Sequence, residues 1–184
     1  MNRQFLQCRW GFACTALIMC LLIAASSATA DISRFVGSFV GSADVQSADG
    51  STRPRDMSVQ ISETKEGFRV YWKSTTYRKD GTAKEKAYTI DFVPSARPGV
   101  FASAMKRNVF GHTAQLDPMK GEPYVWGRIV GETLSVYSMY VTEDGGYEIQ
   151  QFDRSLASRG LMLEFQSIRD GEIQRTVSTL LKRE

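Results

Sequence analysis

The stretch Arg34–Ala43, "RFVGSFVGSA", decides the fold. Four structures fit its spacing at first sight: a serine-nucleophile turn, a phosphate-cradling glycine loop, a GxxxG membrane-helix seam, or the first strand of a barrel. Gly37 and Gly41 have GxxxG spacing, but that motif works only inside an apolar span of about twenty residues. Arg34, Asp44 and Asp49 break any such span. Ser38 directly follows Gly37, so no GxSxG elbow is present, and no Gly-Lys-Ser/Thr ending completes a P-loop. What is left is alternation, with Phe35, Gly37, Phe39 and Gly41 on one side and Val36, Ser38, Val40 and Ser42 on the other. Glycine at every other position beside aromatics describes a bent strand that a neighbour packs against closely, as at the closing seam of a barrel.

Upstream, Arg3 and Arg9 precede an apolar run from Trp10 to Ala25, and Ala28-Thr29-Ala30 follows it. A positive end, an apolar middle and an A-x-A-like end predict a secretory signal peptide, residues 1–30, cleaved before Asp31. The rival is an uncleaved anchor, since the run comes close to the roughly 20 residues a bilayer span takes. Lipidation at Cys20 would require a small residue before it, where Met19 stands. All three cysteines, Cys8, Cys14 and Cys20, lie in this leader, so the expected product has no disulfide. A chain of about 150 residues can stand on its core alone, and one domain over 31–184 is the natural count. Export with no cysteine in the product suits a bacterial periplasm. Lys and Arg total 23 against 20 Asp and Glu; two of the basic residues belong to the leader, leaving near balance. That argues against a nucleic-acid binder, which carries a basic excess or stripe.

Working outward from the opening strand, glycine punctuates the chain, often after an acid, as in "SADG", "TKEG", "RKDG", "TEDGG" and "IRDG". Gly supplies the positive φ of tight turns, and Asp before it bonds back to its own backbone. Between the turns runs a period of two: Phe68, Val70 and Trp72 against Arg69 and Lys73; Tyr88, Ile90 and Phe92 against Thr89 and Asp91. Regular short strands of this kind make a sandwich or a barrel. Strands are expected at 34–46, 55–62, 68–78, 82–93, 123–130, 132–141, 146–153, 160–168 and 172–182. Around 100–105 the apolar positions fit a strand or a short helix, and "GHTAQLDPMKGEP" reads as a long loop. Hairpins dominate and no βαβ helix intervenes. An up-and-down antiparallel β-barrel of eight to ten strands removes exposed edges; a β-sandwich is the alternative.

With Gly37-x-Phe39 on its first strand and hairpins after it, the chain resembles the calycin-type barrels. These are the lipocalins, with their Gly-x-Trp, and related small bacterial barrels that begin on a glycine-aromatic-glycine pattern. In lipocalins the tryptophan packs under an arginine from the last strand. Here Phe39 takes its place, and the resemblance makes Arg175 in "IQRTV" the candidate partner.

A barrel of this size is filled by side chains or holds one small ligand. Trp72, Tyr88, Phe92, Trp126, Tyr137 and Met139 fall on the inferred apolar faces and are candidate lining residues; as aromatics and methionine they suit an ordinary core equally. Alternation places Arg128 on the face of Trp126 and Val130, so an inward guanidinium anchoring a carboxylate or phosphate is one expectation. A solvent-facing Arg128 is the other. "YRKDGTAKEK" mixes bases with acids and reads as a solvated hairpin tip. Catalysis has little to work with. His112 is the only histidine and sits in the loop, and no zinc-spaced cluster of ligands is seen. Asp91, Asp117, Glu148 and Asp153 show no pairing that sequence can reveal. No cofactor is implied. The expected function is binding of a small apolar or amphipathic molecule inside an exported barrel. The alternatives are a filled barrel acting through its outer surface on envelope proteins, and an enzyme on a small hydrophobic substrate.

Overall fold

The computed structural model describes residues 31–78, 80–104, 106–107, 113–114 and 117–184, the side chains of 106–107 and 113–114 excepted. The predicted leader, Met105 and His112 lie outside the described residues. Ten strands close into one antiparallel barrel: β1 (Gly37–Ser47), β2 (Thr52–Glu63), β3 (Phe68–Tyr77), β4 (Ala83–Pro94), β5 (Val100–Ser103), β8 (Tyr124–Val130), β9 (Thr133–Val141), β10 (Tyr147–Ala157), β11 (Gly160–Arg169) and β12 (Glu172–Arg183). Neighbours in sequence are neighbours around the barrel, and β12 returns to β1. β6 (Lys106–Arg107) and β7 (Thr113–Ala114) pair separately between β5 and β8. The region read as strand or helix forms strand β5, joined to β4 by Pro94↔Phe101 and to β8 by Phe101↔Gly127.

The opening stretch is the seam, but it begins as a turn. Ile32–Phe35 form a 3-10 turn capped by Asp31, whose carboxylate accepts from the Ser33 N–H at 2.9 Å. Phe35 is therefore carried inward from outside the sheet and is fully buried, so its alternation with Gly37 was coincidental. From Gly37 onward the strand is regular and pairs with all of β2 but Ser62 and Glu63. Its bonds to β12 hold at both ends, Phe39↔Arg183 and Ser47↔Arg175. Gly41 lies where a Cβ would press on the Leu180 carbonyl and the Leu181 side chain, so the strands approach closely there. Arg183, not Arg175, covers Phe39. Arg175 sits at the opposite end of β12, and eight residues of strand carry it roughly 26 Å away.

The closed end is the apolar end. Phe35, Phe39, Ile61, Phe68, Phe92 and Leu161 are wholly buried there, and Phe68 stacks on Phe92 with ring centroids 4.9 Å apart. Burial of each such side chain is worth about 1.5–3 kcal/mol. One inward position on β8 is a glycine, because a Cβ on Gly127 would stand 3.3 Å from the Phe92 ring and 3.7 Å from Phe68. The large rings fill the space that its missing side chain leaves.

Candidate functional site

The other end, where the β1–β2, β3–β4, β9–β10 and β11–β12 turns gather, opens into a cavity of about 620 Å³. That is well within the range of small-molecule sites. Its floor is apolar, made by Val59, Val125, Val136, Leu163 and Leu181. At mid-height Tyr88 stacks on Trp72 (5.3 Å between centroids), Trp72 meets Phe152 (5.7 Å) and Phe152 meets Phe165 (4.7 Å). β3 and β10 are five strands apart whichever way the barrel is traversed. The Trp72–Phe152 contact therefore bridges opposite walls of the lumen.

Above this aromatic belt the wall turns basic. Arg53, Arg55, Arg78, Lys84, Lys86 and Arg175 line the upper cavity. Glu148 is the one carboxylate among the described lining residues. Alternation explains the concentration: Lys84 and Lys86 precede Tyr88 in steps of two, and Arg53 and Arg55 precede Met57 in the same way. Asp56, Glu85 and Asp91 of those strands fall on the outer face, where Lys73 pairs with Glu85 and Arg69 with Asp91, while Glu63 lies at the far end of β2 from the mouth. A nearly neutral chain thus keeps its cations at the mouth.

Two groups at the mouth are wired to each other. The Glu148 carboxylate accepts from the Tyr140 hydroxyl at 2.8 Å, Gln150 at 2.8 Å, Ser167 at 2.9 Å and Arg175 at 3.2 Å. Burial pushes the Glu148 carboxyl up, but those hydrogen bonds and the Arg175 charge outweigh it and hold its pKa below the usual value. Burial, with Glu148 as acceptor, pushes the Tyr140 hydroxyl up to about 12. Arg55 donates to Thr76 at 2.9 Å, and burial together with the like charge of Arg175 lowers its pKa. Two guanidiniums held close enough to repel each other make a place where an anion is stabilised.

The deepest charged group is Arg154. It is 3% exposed and lines the cavity, with Leu134 and Leu163 as its partners across the sheet. Its guanidinium lies over the Phe152 ring, 5.5 Å from the centroid. Among the described residues, no acceptor reaches its buried Nε or Nη1.

Of the residues singled out from sequence, Trp72 and Tyr88 line the cavity, while Phe92 belongs to the closed-end core. Trp126, Arg128, Tyr137 and Met139 do share one side, as alternation implied, but it is the outer side. Val125, Gly127 and Ile129 are the buried, inward residues of β8, and Arg128 is exposed. The large rings of Phe68 and Phe92 claim the inside of β8 and leave room only for Gly127; the tryptophan beside it must then face out. There Trp126 stacks on Tyr137 with centroids 4.9 Å apart, and Tyr124 adjoins at 5.9 Å. The basic mouth was missed in sequence because acids alternate with its lysines. Arg154 was missed because it shares "QFDRS" with an acid on the other face. Counting in steps of two from Tyr88, Met57 and Phe152 would have found them. Compared with known protein families, curated proteins and solved structures, the chain matches none.

Proposed function

We propose that this is a non-catalytic, calycin-like binding protein, exported to the envelope space, that takes up a small amphipathic anion with an apolar or aromatic body. The observation that carries this reading is the cavity of about 620 Å³, apolar and aromatic below and lined by six cations above. An apolar body buried against Trp72, Phe152 and Phe165 supplies affinity through the area it removes from water. The cationic mouth draws anions in and discriminates against neutral or positive molecules.

The test is titration of the protein with an aromatic sulfonate dye, a fatty acid and a fatty amine, followed by Trp72 fluorescence, beside native mass spectrometry of protein from its host. Saturable binding of the anions, with the amine excluded, is expected. A protein that never retains a small molecule and binds none of the probes would overturn the reading.

A second reading, an interaction module acting through its outside, is favoured by the Tyr124–Trp126–Tyr137 stack on the outer face of β8 and β9. Trp126→Ala separates the two, since it abolishes capture of an envelope partner in the second and leaves ligand titrations unchanged in the first.

A further inference from the structure

We propose that Arg154 is the anchor for the acidic group of the ligand, so that the amphiphile enters acid-first and lies with its carboxylate at the cavity floor. The inference rests on the binding function proposed above and adds the ligand's class and orientation: a monoanionic carboxylate whose apolar chain runs from the floor through the aromatic belt.

Arg154 is 3% exposed, with Nε and Nη1 buried and without an acceptor among the described residues. Its side chain reaches the cavity among Val136, Leu163 and Phe152. A guanidinium in such surroundings is unfavourable unless it is paired and hydrogen-bonded. Buried arginines elsewhere in proteins meet carboxylates, whose two oxygens match one edge of the guanidinium fork. Among the described residues no carboxylate hydrogen-bonds it. Asp153 is adjacent in sequence but on the opposite face of β10, with its Oδ2 accepting from Gln151 at 2.6 Å and its Oδ1 buried without a described partner; it acts on Arg154 through its charge alone. Glu148, six residues up the strand, is occupied by Tyr140, Ser167 and Arg175. No described residue supplies the acceptor, and the cavity is the route by which a ligand would bring it. Although burial pulls its pKa down to about 10, Arg154 keeps its charge at neutral pH.

Floor and mouth are separable by salt, because exposed rim charges are screened and a buried contact is screened far less. Dodecanoate and its methyl ester are titrated into wild type, Arg154→Met and Arg154→Lys in about 0.5 M salt, where the rim is quiet. A charge-assisted hydrogen bond of ordinary strength predicts that wild type prefers the acid over the ester by roughly ten- to a hundredfold. Arg154→Met should still bind the ester and lose the preference, and Arg154→Lys should keep part of it. Equal binding of acid and ester by wild type, or a preference that survives in Arg154→Met, would overturn the anchor while leaving the binding function standing. Failure of wild type to bind either probe would overturn both.

Discussion

The Arg183 guanidinium lies over the ring of Phe39, 4.6 Å from its centroid, and its Nη1 donates to the Val36 carbonyl at 2.8 Å. One side chain thus ties the last strand to the first and to the turn that carries Phe35 into the closed end. Gly37 makes the arrangement fit. Its φ of 148° is one that other residues seldom adopt, and a Cβ there would occupy the place of the Arg183 guanidinium.

Gly37→Ala is therefore expected to destabilise the barrel by about 2 kcal/mol, through backbone strain and displacement of Arg183. Arg183→Met, which removes an exposed cation–π contact and one hydrogen bond, should lower stability by about 1 kcal/mol. Because both act on the same contact, the double variant should fall short of the sum. Urea unfolding of the four proteins checks this, and strict additivity would show that Gly37 and Arg183 act separately.

How much of this was legible beforehand depends on which interaction sets the facing of each strand. Where one face of a strand is plainly apolar, as in Phe68-Val70-Trp72, alternation alone places the residues inward, and the hairpin order and barrel closure follow. On β8 the competition is between Trp126 and Gly127, and a propensity-based choice puts the tryptophan inside. Only the tertiary fact that Phe68 and Phe92 fill the lumen opposite Gly127 reverses it. The same strand facing moved Arg128 out, and with it the expected anchor. The cationic mouth and Arg154 obey the period of two as well as any core residue does. They were hidden because charged positions are ordinarily assigned to the solvent side, and inside a hollow barrel that assumption fails.

Gly127→Val should test the steric account of β8. Its branched side chain must displace the Phe92 and Phe68 rings, so destabilisation of about 1–3 kcal/mol is expected, read from denaturant midpoints at unchanged slope. If the variant is as stable as wild type, the inward space is larger than the ring contacts indicate.

Glu148→Gln changes both the mouth and the acid stability of the protein. The Glu148 carboxyl has a folded pKa below its ordinary value near 4.5. Its contribution is therefore present above about pH 4.5 and is lost as the pH falls through the lower, folded value. The variant should be less stable than wild type at neutral pH by about 1–2 kcal/mol, because a charged acceptor of several hydrogen bonds is gone. The difference should shrink progressively below about pH 4.5. Arg175, released from its counter-ion, should also raise affinity for an aromatic sulfonate at low salt. A pH-independent difference would mean that the carboxylate charge contributes nothing to the network.

Arg154→Met should make the empty protein more stable, the reverse of the usual outcome for a buried residue. Burial depresses the Arg154 pKa from its ordinary value to about 10, so the unfolded chain holds its proton more tightly than the folded one. For a base with a lowered folded pKa the sign is a penalty: it is present in full below about pH 10 and relieved as the pH rises above it. Met fills most of the same space without charge, and such replacements of unpaired or costly buried ions stabilise by about 1–4 kcal/mol. Thermal melts at neutral pH should show the variant higher by several degrees, with the gap narrowing above about pH 10. Saturating dodecanoate should narrow it too, since the ligand binds wild type more tightly and so raises it more than the variant. A variant that melts well below wild type in the absence of ligand would mean that the guanidinium is already satisfied within the empty barrel.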